Sequence, residues 1–281
     1  MQFNQKNGFI SSWVSEGSGK KIVFLPGWAE PHSVWQDSCP KNLFGYEKIF
    51  MNLGGHFPSE FPKDKNHLQL EEFLDPHFEV FHKLAANEKL ILIGHSTGAF
   101  INWQYMNRFP EKVEKNILVG SFLEGPIGGI VTLMENLRLW NLTFLTDFAL
   151  GFSQDSKSTF YDTALSVNPD RKQEFLNRAD VKEFFPTFFG QYKKISPKSL
   201  RMVVEILESI RLSNMNLREG LPLYFLHGEK DPVISISHIK QFCENYKTAK
   251  LIAIADTGHS PHWENPSLFW SYVREILESK E

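Results

Sequence analysis

The sequence predicts an α/β fold, a doubly wound and mostly parallel sheet interrupted by an inserted helical lid. Three observations carry that prediction. Short apolar runs recur along the chain and several are bounded by Gly or Pro, as expected of strands buried on both faces of a parallel sheet. Segments with helical periodicity fall between them, which is the alternation of a doubly wound architecture. The alternation then lapses over one long stretch, residues 122–216, and resumes. The predicted division is therefore a first part of the core over 1–121, a helical lid over 122–216, and a second part of the core over 217–281.

Lys6-Asn7-Gly8 reads as a hairpin turn joining two short N-terminal strands. The buried-strand runs are Lys21–Leu25, Lys48–Leu53, Leu90–Ile93, Asn116–Val119, Leu223–Leu226 and Leu251–Ile254. Helical segments between them include Val80–Ala86, Ala99–Arg108, Ser237–Tyr246 and Pro266–Glu278. The interrupting stretch has no convincing buried strand and reads as amphipathic helices such as Leu200–Leu212. It is rich in phenylalanine, at 144, 148, 152, 160, 175, 184, 185, 188 and 189. Those rings either fill a small core of their own or form the apolar underside of a lid over a substrate pocket.

Composition excludes several function classes. A chain of 281 residues with 42% hydrophobic and 22% charged residues can bury an ordinary globular core. A formal net charge of -3 gives no reason to expect nucleic acid as the main partner. The two cysteines, Cys39 and Cys243, are far apart and lack metal-type spacing, so neither a disulfide framework nor a thiolate metal site is expected. No signal-peptide pattern and no membrane-spanning apolar run is evident, and a cytoplasmic location is expected.

The chemistry-bearing signal is Gly94-His95-Ser96-Thr97-Gly98, a G-x-S-x-G sequence with a strand before it and a helix after it. A serine on a strained strand-to-helix turn needs small neighbours two residues either side, because larger side chains would meet adjacent backbone. A serine N-capping the helix is the plainer alternative. A hydroxyl becomes an effective nucleophile only when a base takes its proton. His259 is the candidate base, in "ADTGHSPHWENP" after the last apolar run. Asp231, in "FLHGEKDPVI", is placed to orient that imidazole, with Glu124 as a reserve acid. The order Ser96, Asp231, His259 places three loops after three strands. An oxyanion needs two N–H donors: that of Thr97 at the helix start, and that of Trp28 in the loop Pro26-Gly27-Trp28-Ala29-Glu30.

With these pieces in place the chain resembles the α/β-hydrolase superfamily over almost its full length, through "FLPGWAEPHSVW", "NLGGHFPSEFP", "GHSTG", "HGEKDPVI" and "GHSPHWENP". Within it the chain looks most like the pimeloyl-[acyl-carrier-protein] methyl ester carboxylesterases of biotin synthesis. The tryptophan after Gly27 and "LESIRLSNMNLREGLPLYFLHGEKD" suggest that branch. The resemblance implies Ser96 as nucleophile, Asp231 as acid, His259 as base, main-chain oxyanion donors at Trp28 and Thr97, and no cofactor. It also places Trp28 against a bound acyl chain. Two departures stand out: Pro26-Gly27 replaces the His-Gly of many relatives, and Gly-Gly-His-Phe-Pro replaces the more usual Pro-Gly-x-Gly.

In that branch basic lid residues hold an acidic carrier protein, which makes Lys193, Lys194, Lys198 and Arg201 candidate docking residues. A solvated lid face accounts for the same run. His259 and His262 have the spacing of a metal pair but no third ligand at a matching distance in sequence, so no metal is expected. His95 is expected to pack behind the elbow. The expected activity is serine ester hydrolysis through an acyl-enzyme. The alternatives are a general carboxylesterase, a lactonase or C–C hydrolase, or a non-catalytic ligand-binding protein of the same fold.

Overall fold

In the computed structural model, which describes residues 1–125, 136–138, 142–156, 166–215 and 218–279, eight strands form one sheet. The strands are β1 (Gln2–Lys6), β2 (Phe9–Gly17), β3 (Lys20–Leu25), β4 (Tyr46–Met51), β5 (Leu90–His95), β6 (Val113–Val119), β7 (Leu223–Gly228) and β8 (Lys250–Ile254). Their order across the sheet is β1-β2-β4-β3-β5-β6-β7-β8. Only the β1–β2 and β2–β4 pairings are antiparallel. Asn7 (φ 50°) and Gly8 (φ 81°) turn the β1–β2 hairpin, in the left-handed region that a tight hairpin loop requires.

The helices are α1 (Ser33–Ser38), α2 (Leu70–Leu84), α3 (Thr97–Arg108), α4 (Thr143–Asp155), α5 (Lys172–Asn177), α6 (Ala179–Tyr192), α7 (Pro197–Ser209), α8 (Ile236–Asn245), α9 (Pro261–Glu264) and α10 (Pro266–Glu278). The sheet is covered on both faces. Val23, Leu25, Leu90 and Leu92 pack with residues of α2, α3 and α8, whereas Ile22, Phe24, Ile91 and Ile93 pack with α1 and α10. Successive strand residues thus serve opposite cores, the period-two pattern of a strand buried on both sides. Helix α2 extends ten residues before the predicted start and runs across Pro76. A capping box between Gln69 and Glu72 starts it, and the burial of Phe73, Leu74, Phe78 and Phe81 against the sheet outweighs the local cost of the proline.

The described residues between β6 and β7 contain helices and no strand of the sheet. Phe175, Phe185, Phe188 and Phe189 are buried in a third cluster with Val181, Leu200, the loop residue Ala29 and Val34 of α1. Phe184 stacks on Trp263 at 4.2 Å. Phe144, Phe148 and Phe152, by contrast, lie on the outer face of α4 with exposures of 62%, 74% and 68%. The phenylalanines are therefore divided between a core and an outer surface, and Phe160 lies outside the described residues. No described helix is long and apolar enough to cross a membrane.

A buried lysine fastens the last helix to the sheet. Lys115 on β6 donates from Nζ to the carbonyls of Ile276 and Ser279, each at 2.6 Å, and to Ser279 Oγ at 2.7 Å. These are C-terminal carbonyls of α10 that no further helical turn satisfies. Lys115→Met should lower stability by about 1–3 kcal/mol through their loss of a charged donor, read as a shift in the urea midpoint with little change in slope.

Candidate active site

The carboxyl ends of β3, β5, β7 and β8 bring the predicted catalytic and oxyanion residues to one edge. Ser96 follows β5 directly and has φ 50° and ψ -111°, an unfavourable backbone conformation that surrounding contacts must hold. Its N–H donates to Val119 at the end of β6, at 2.8 Å. A Cβ on Gly94 would lie 2.6 Å from Gly98 and Ala99 backbone atoms, and one on Gly98 2.5 Å from the carbonyls of Leu25 and Pro26. Both glycines are thus required by close backbone approach, one inside the turn and one against the loop after β3.

Asp231 and His259 meet directly. The Nδ1–H of His259 donates to Asp231 Oδ2 at 2.8 Å, and Asp231 Oδ1 accepts the N–H groups of Val233 (2.8 Å) and Ile234 (2.9 Å). Burial raises the Asp231 carboxyl, but the charge and hydrogen bond of His259 outweigh it, so the group is held below its ordinary value. The His259 ring also packs on Gly120, immediately after β6. Ser96 Oγ makes no hydrogen bond among the described residues, to His259 or to any other group; apo sites commonly close such contacts only with substrate bound. Glu124 is elsewhere: it accepts the Leu212 N–H at 3.0 Å and faces His238.

The loop after β3 presents one unused amide. Gly27 N–H donates to Glu30 Oε2 (2.6 Å), Ala29 N–H to His56 Nε2 (2.9 Å) and Glu30 N–H to the Gly27 carbonyl (3.3 Å). Among the described residues the Trp28 N–H has no acceptor, and neither has the Thr97 N–H at the start of α3. The Trp28 indole is tied to the inserted helices, donating to the Leu200 carbonyl at 2.9 Å.

Several groups that fasten this edge gave little sign in the sequence. His56 accepts from Ala29, whose φ is 66°, and donates from Nδ1 to Gly54 O; His77 accepts from Gly54 N–H and donates to Phe73 O. This chain of neutral rings runs from α2 to the oxyanion-loop candidate, and accounts for the Gly-Gly-His departure. His227 points its Nε2 at Ile234 O (2.8 Å) and Asp231 Oδ2 (3.2 Å). Glu264 accepts the N–H groups of Gly258, Ser260 and Asn168, bracing the His259 loop. Glu264 lies five residues beyond His259, at the end of a short helical turn.

Of the predicted docking residues, Arg201 is corrected. It is only 4% exposed and is engaged by Asp147 (2.7 Å), Glu205 (2.7 Å) and the Asn66 carbonyl. The sequence run around it lacks acids, but α4 supplies Asp147 from 54 residues away. Lys193 faces Asp155 at 3.2 Å. Lys194 lies over the Phe57 ring at 5.3 Å, and Lys198 donates to Lys63 O at 3.2 Å. Lys63, Lys194 and Lys198 line a cavity of about 310 Å³ with Phe57 and Met202. His262 is buried against Trp35 at 4.4 Å, and burial, with His95 and His259 nearby, holds it neutral. Among the described residues no group of three or more His, Cys, Asp or Glu has metal-binding geometry.

Burial pushes His56 and His77 down to about 4, although Gly54 O and Phe73 O oppose the shift. An imidazole depressed in the folded state stabilises the fold above its unfolded value of about 6.5 and loses that contribution as pH falls towards the folded value. The apparent unfolding free energy should therefore drop between about pH 6.5 and 4, by up to about 3 kcal/mol for each ring. The measurement is denaturant unfolding across that range, with His56→Gln flattening the slope.

Comparison with known proteins came to the same architecture. The α/β hydrolase fold family model matches residues 20–266. A pimeloyl-[acyl-carrier protein] methyl ester esterase of Wigglesworthia glossinidia brevipalpis is 26% identical over 95% of this chain and 97% of that protein. An esterase (EaEST) from Exiguobacterium antarcticum superimposes with a TM-score of 0.77 at 18% identity, covering 99% of each chain. The enol-lactonase from Burkholderia xenovorans LB400 does so with a TM-score of 0.76 at 13% identity, over 99% of this chain and 100% of that one. With a strained serine between β5 and α3 and a buried carboxylate–imidazole pair beyond β7 and β8, the chain belongs to the α/β hydrolase fold family.

Proposed function

We propose that the protein is a serine carboxylic ester hydrolase that works through an acyl-enzyme on Ser96. The observation that carries the reading is the pair of amides without acceptors, Trp28 and Thr97, on either side of a serine at φ 50°. Ser96 Oγ attacks the ester carbonyl carbon while His259 Nε2 takes its proton. Asp231 keeps the His259 Nδ1–H in place and offsets the charge that forms on the ring. The Trp28 and Thr97 N–H groups hold the tetrahedral oxyanion. Collapse breaks the C–O bond, His259 hands its proton to the leaving alcohol, and water then releases the acid by the same proton route. The helices between β6 and β7, over 122–216, serve as the lid for the acyl chain, with Trp28 tethered to α7 beneath it.

Ser96→Ala should keep the fold and lower kcat by about 10⁴-fold or more, with Asp231→Asn reducing it by about 10²–10⁴-fold. Labelling by a fluorophosphonate probe should vanish in Ser96→Ala. Near-full hydrolysis by that variant would refute the mechanism, and absence of labelling in the unaltered protein would favour a ligand-binding role.

The finer reading is a methyl ester of a pimeloyl group on an acyl carrier protein, in biotin synthesis. Relatives of that name at 24–26% identity over most of the chain support it, as does the basic edge formed by Lys63, Lys194 and Lys198. Lys193 is a weaker docking candidate because Asp155 faces it. The carrier-bound ester should have a kcat/KM about 10²-fold or more above the best p-nitrophenyl ester. Lys194→Glu with Lys198→Glu should raise KM for the carrier-bound ester about tenfold, by removing electrostatic steering, and leave simple esters unchanged. Equal kcat/KM for both substrate types would argue for a general carboxylesterase, and faster opening of lactones for a lactonase.

A further inference from the structure

A carboxylate–imidazole pair lies beside Ser96. His95, the last residue of β5, is 1% exposed and lies between two acceptors. Its Nδ1 is 2.8 Å from Glu30 Oε2, and its Nε2 is 2.9 Å from the carbonyl oxygen of His259. Neither a carboxylate nor a backbone carbonyl can donate, so both contacts are hydrogen bonds only when both ring nitrogens carry hydrogen. The same Glu30 oxygen accepts the Gly27 N–H at 2.6 Å. Gly27 leaves just enough room: a Cβ there would lie 3.0 Å from Glu30 Oε2 and 3.0 Å from His95 Nδ1. One unbroken path therefore runs from the loop that carries the Trp28 amide, through Glu30 and His95, to the backbone of His259. The path fastens the loop after β3 to another element.

We infer that Glu30 and His95 form a buried carboxylate–imidazolium strut that sets the Trp28 amide relative to His259, making both of them positioning residues for the hydrolysis. With hydrogen on both nitrogens the ring makes both contacts, and it takes no part in the proton relay. The inference rests on the ester-hydrolase reading for its kinetic consequence, though not for the charge on the ring. Groups facing His95 from the packed elements are Glu30 on the loop after β3, His259 and His262 on the segment after β8, and Asp231 and His227 at the end of β7; His56 approaches Glu30 from the loop after β4. Burial disfavours charge on His95, but the Glu30 carboxylate and the His259 carbonyl outweigh it and the ring is raised above its ordinary value. Burial likewise raises Glu30, and His95 with the Gly27 N–H more than reverses that, leaving it lowered. A raised imidazole keeps its contribution at low pH and loses it as pH climbs through the folded value, so the strut weakens on the alkaline side.

The first test is the resting protein. Histidine ¹⁵N spectra at about pH 8, well above the unperturbed imidazole value of about 6.5, should show one ring with both nitrogens protonated, and that signal should vanish in His95→Gln. A His95 ring with one bare nitrogen at that pH would overturn the cationic strut. The second test is kinetic. Glu30→Gln should lower kcat about 10–100-fold with KM within about twofold, a misplaced oxyanion donor costing less than its full removal at about 10²–10³. The alkaline fall in kcat should move to lower pH in Glu30→Gln and disappear in His95→Gln, which has nothing there to titrate. A uniform loss with unchanged pH profiles, or wild-type kcat in Glu30→Gln, would reduce the pair to packing. If Ser96→Ala retains hydrolysis, the esterase reading fails on its own while the nitrogen spectra still decide the charge of His95. Should Glu30→Gln fail to fold, the spectra of the unaltered protein and the profile of His95→Gln carry the decision.

Discussion

The close approach of the Gly94–Gly98 turn to the end of β3 governs the rest of the site. The space at Gly98 is set by the carbonyls of Leu25 and Pro26, 2.5 Å from where a Cβ would stand. That contact is possible only because β3 and β5 are adjacent and parallel, with Leu25 paired to Gly94. It presses the loop after β3 against the start of α3, so the two amides without acceptors, Trp28 and Thr97, come from neighbouring backbones. The same packing holds Ser96 at φ 50°. A backbone held in such a conformation needs a rigid surround, and the sheet, buried on both faces, supplies one.

Polar groups complete the edge by bracing each loop from a second element. Glu30 and His56 fix the loop after β3, Asp231 is held by Val233 and Ile234 amides, and Glu264 gathers three amides around the His259 loop. Each brace buries a titratable group and satisfies it with directed hydrogen bonds, which is the condition under which such groups persist in a core. The outcome is a site whose proton-carrying groups differ sharply in charge state. His56 and His77 are neutral, Asp231 is ionised, and His95 sits between two acceptors. Burial and neighbouring charges thus push the protonation states of adjacent groups apart.

The inserted helices show a different logic. Their inner phenylalanines join a cluster with Ala29 of the loop after β3 and Val34 of α1, whereas Met202, Val203, Ile206 and Leu207 of α7 join the core against the sheet. Trp28 bridges the two through the Leu200 carbonyl. The loop that carries the Trp28 amide is thereby joined to the inserted helices.

The sequence by itself determined the strand–helix alternation, the break between β6 and β7, the elbow and the order Ser96, Asp231, His259. These are local matters: apolar periodicity marks strands, and Gly or Pro marks turns wherever the chain folds. It also pointed to the Trp28 and Thr97 amides, because a loop after a strand and the first turn of a helix leave donors unused. Helix α2 was legible only in its last third, since Pro76 hides a helix that tertiary burial sustains. What only the tertiary structure decided were partnerships over long separations. Asp147 neutralises Arg201 across 54 residues, His95 reaches His259 across 164, and His56 reaches back to Ala29 across 27. No sequence pattern encodes such pairs, because the hydrogen bond depends on where two strands end in space and not on how far apart they lie along the chain.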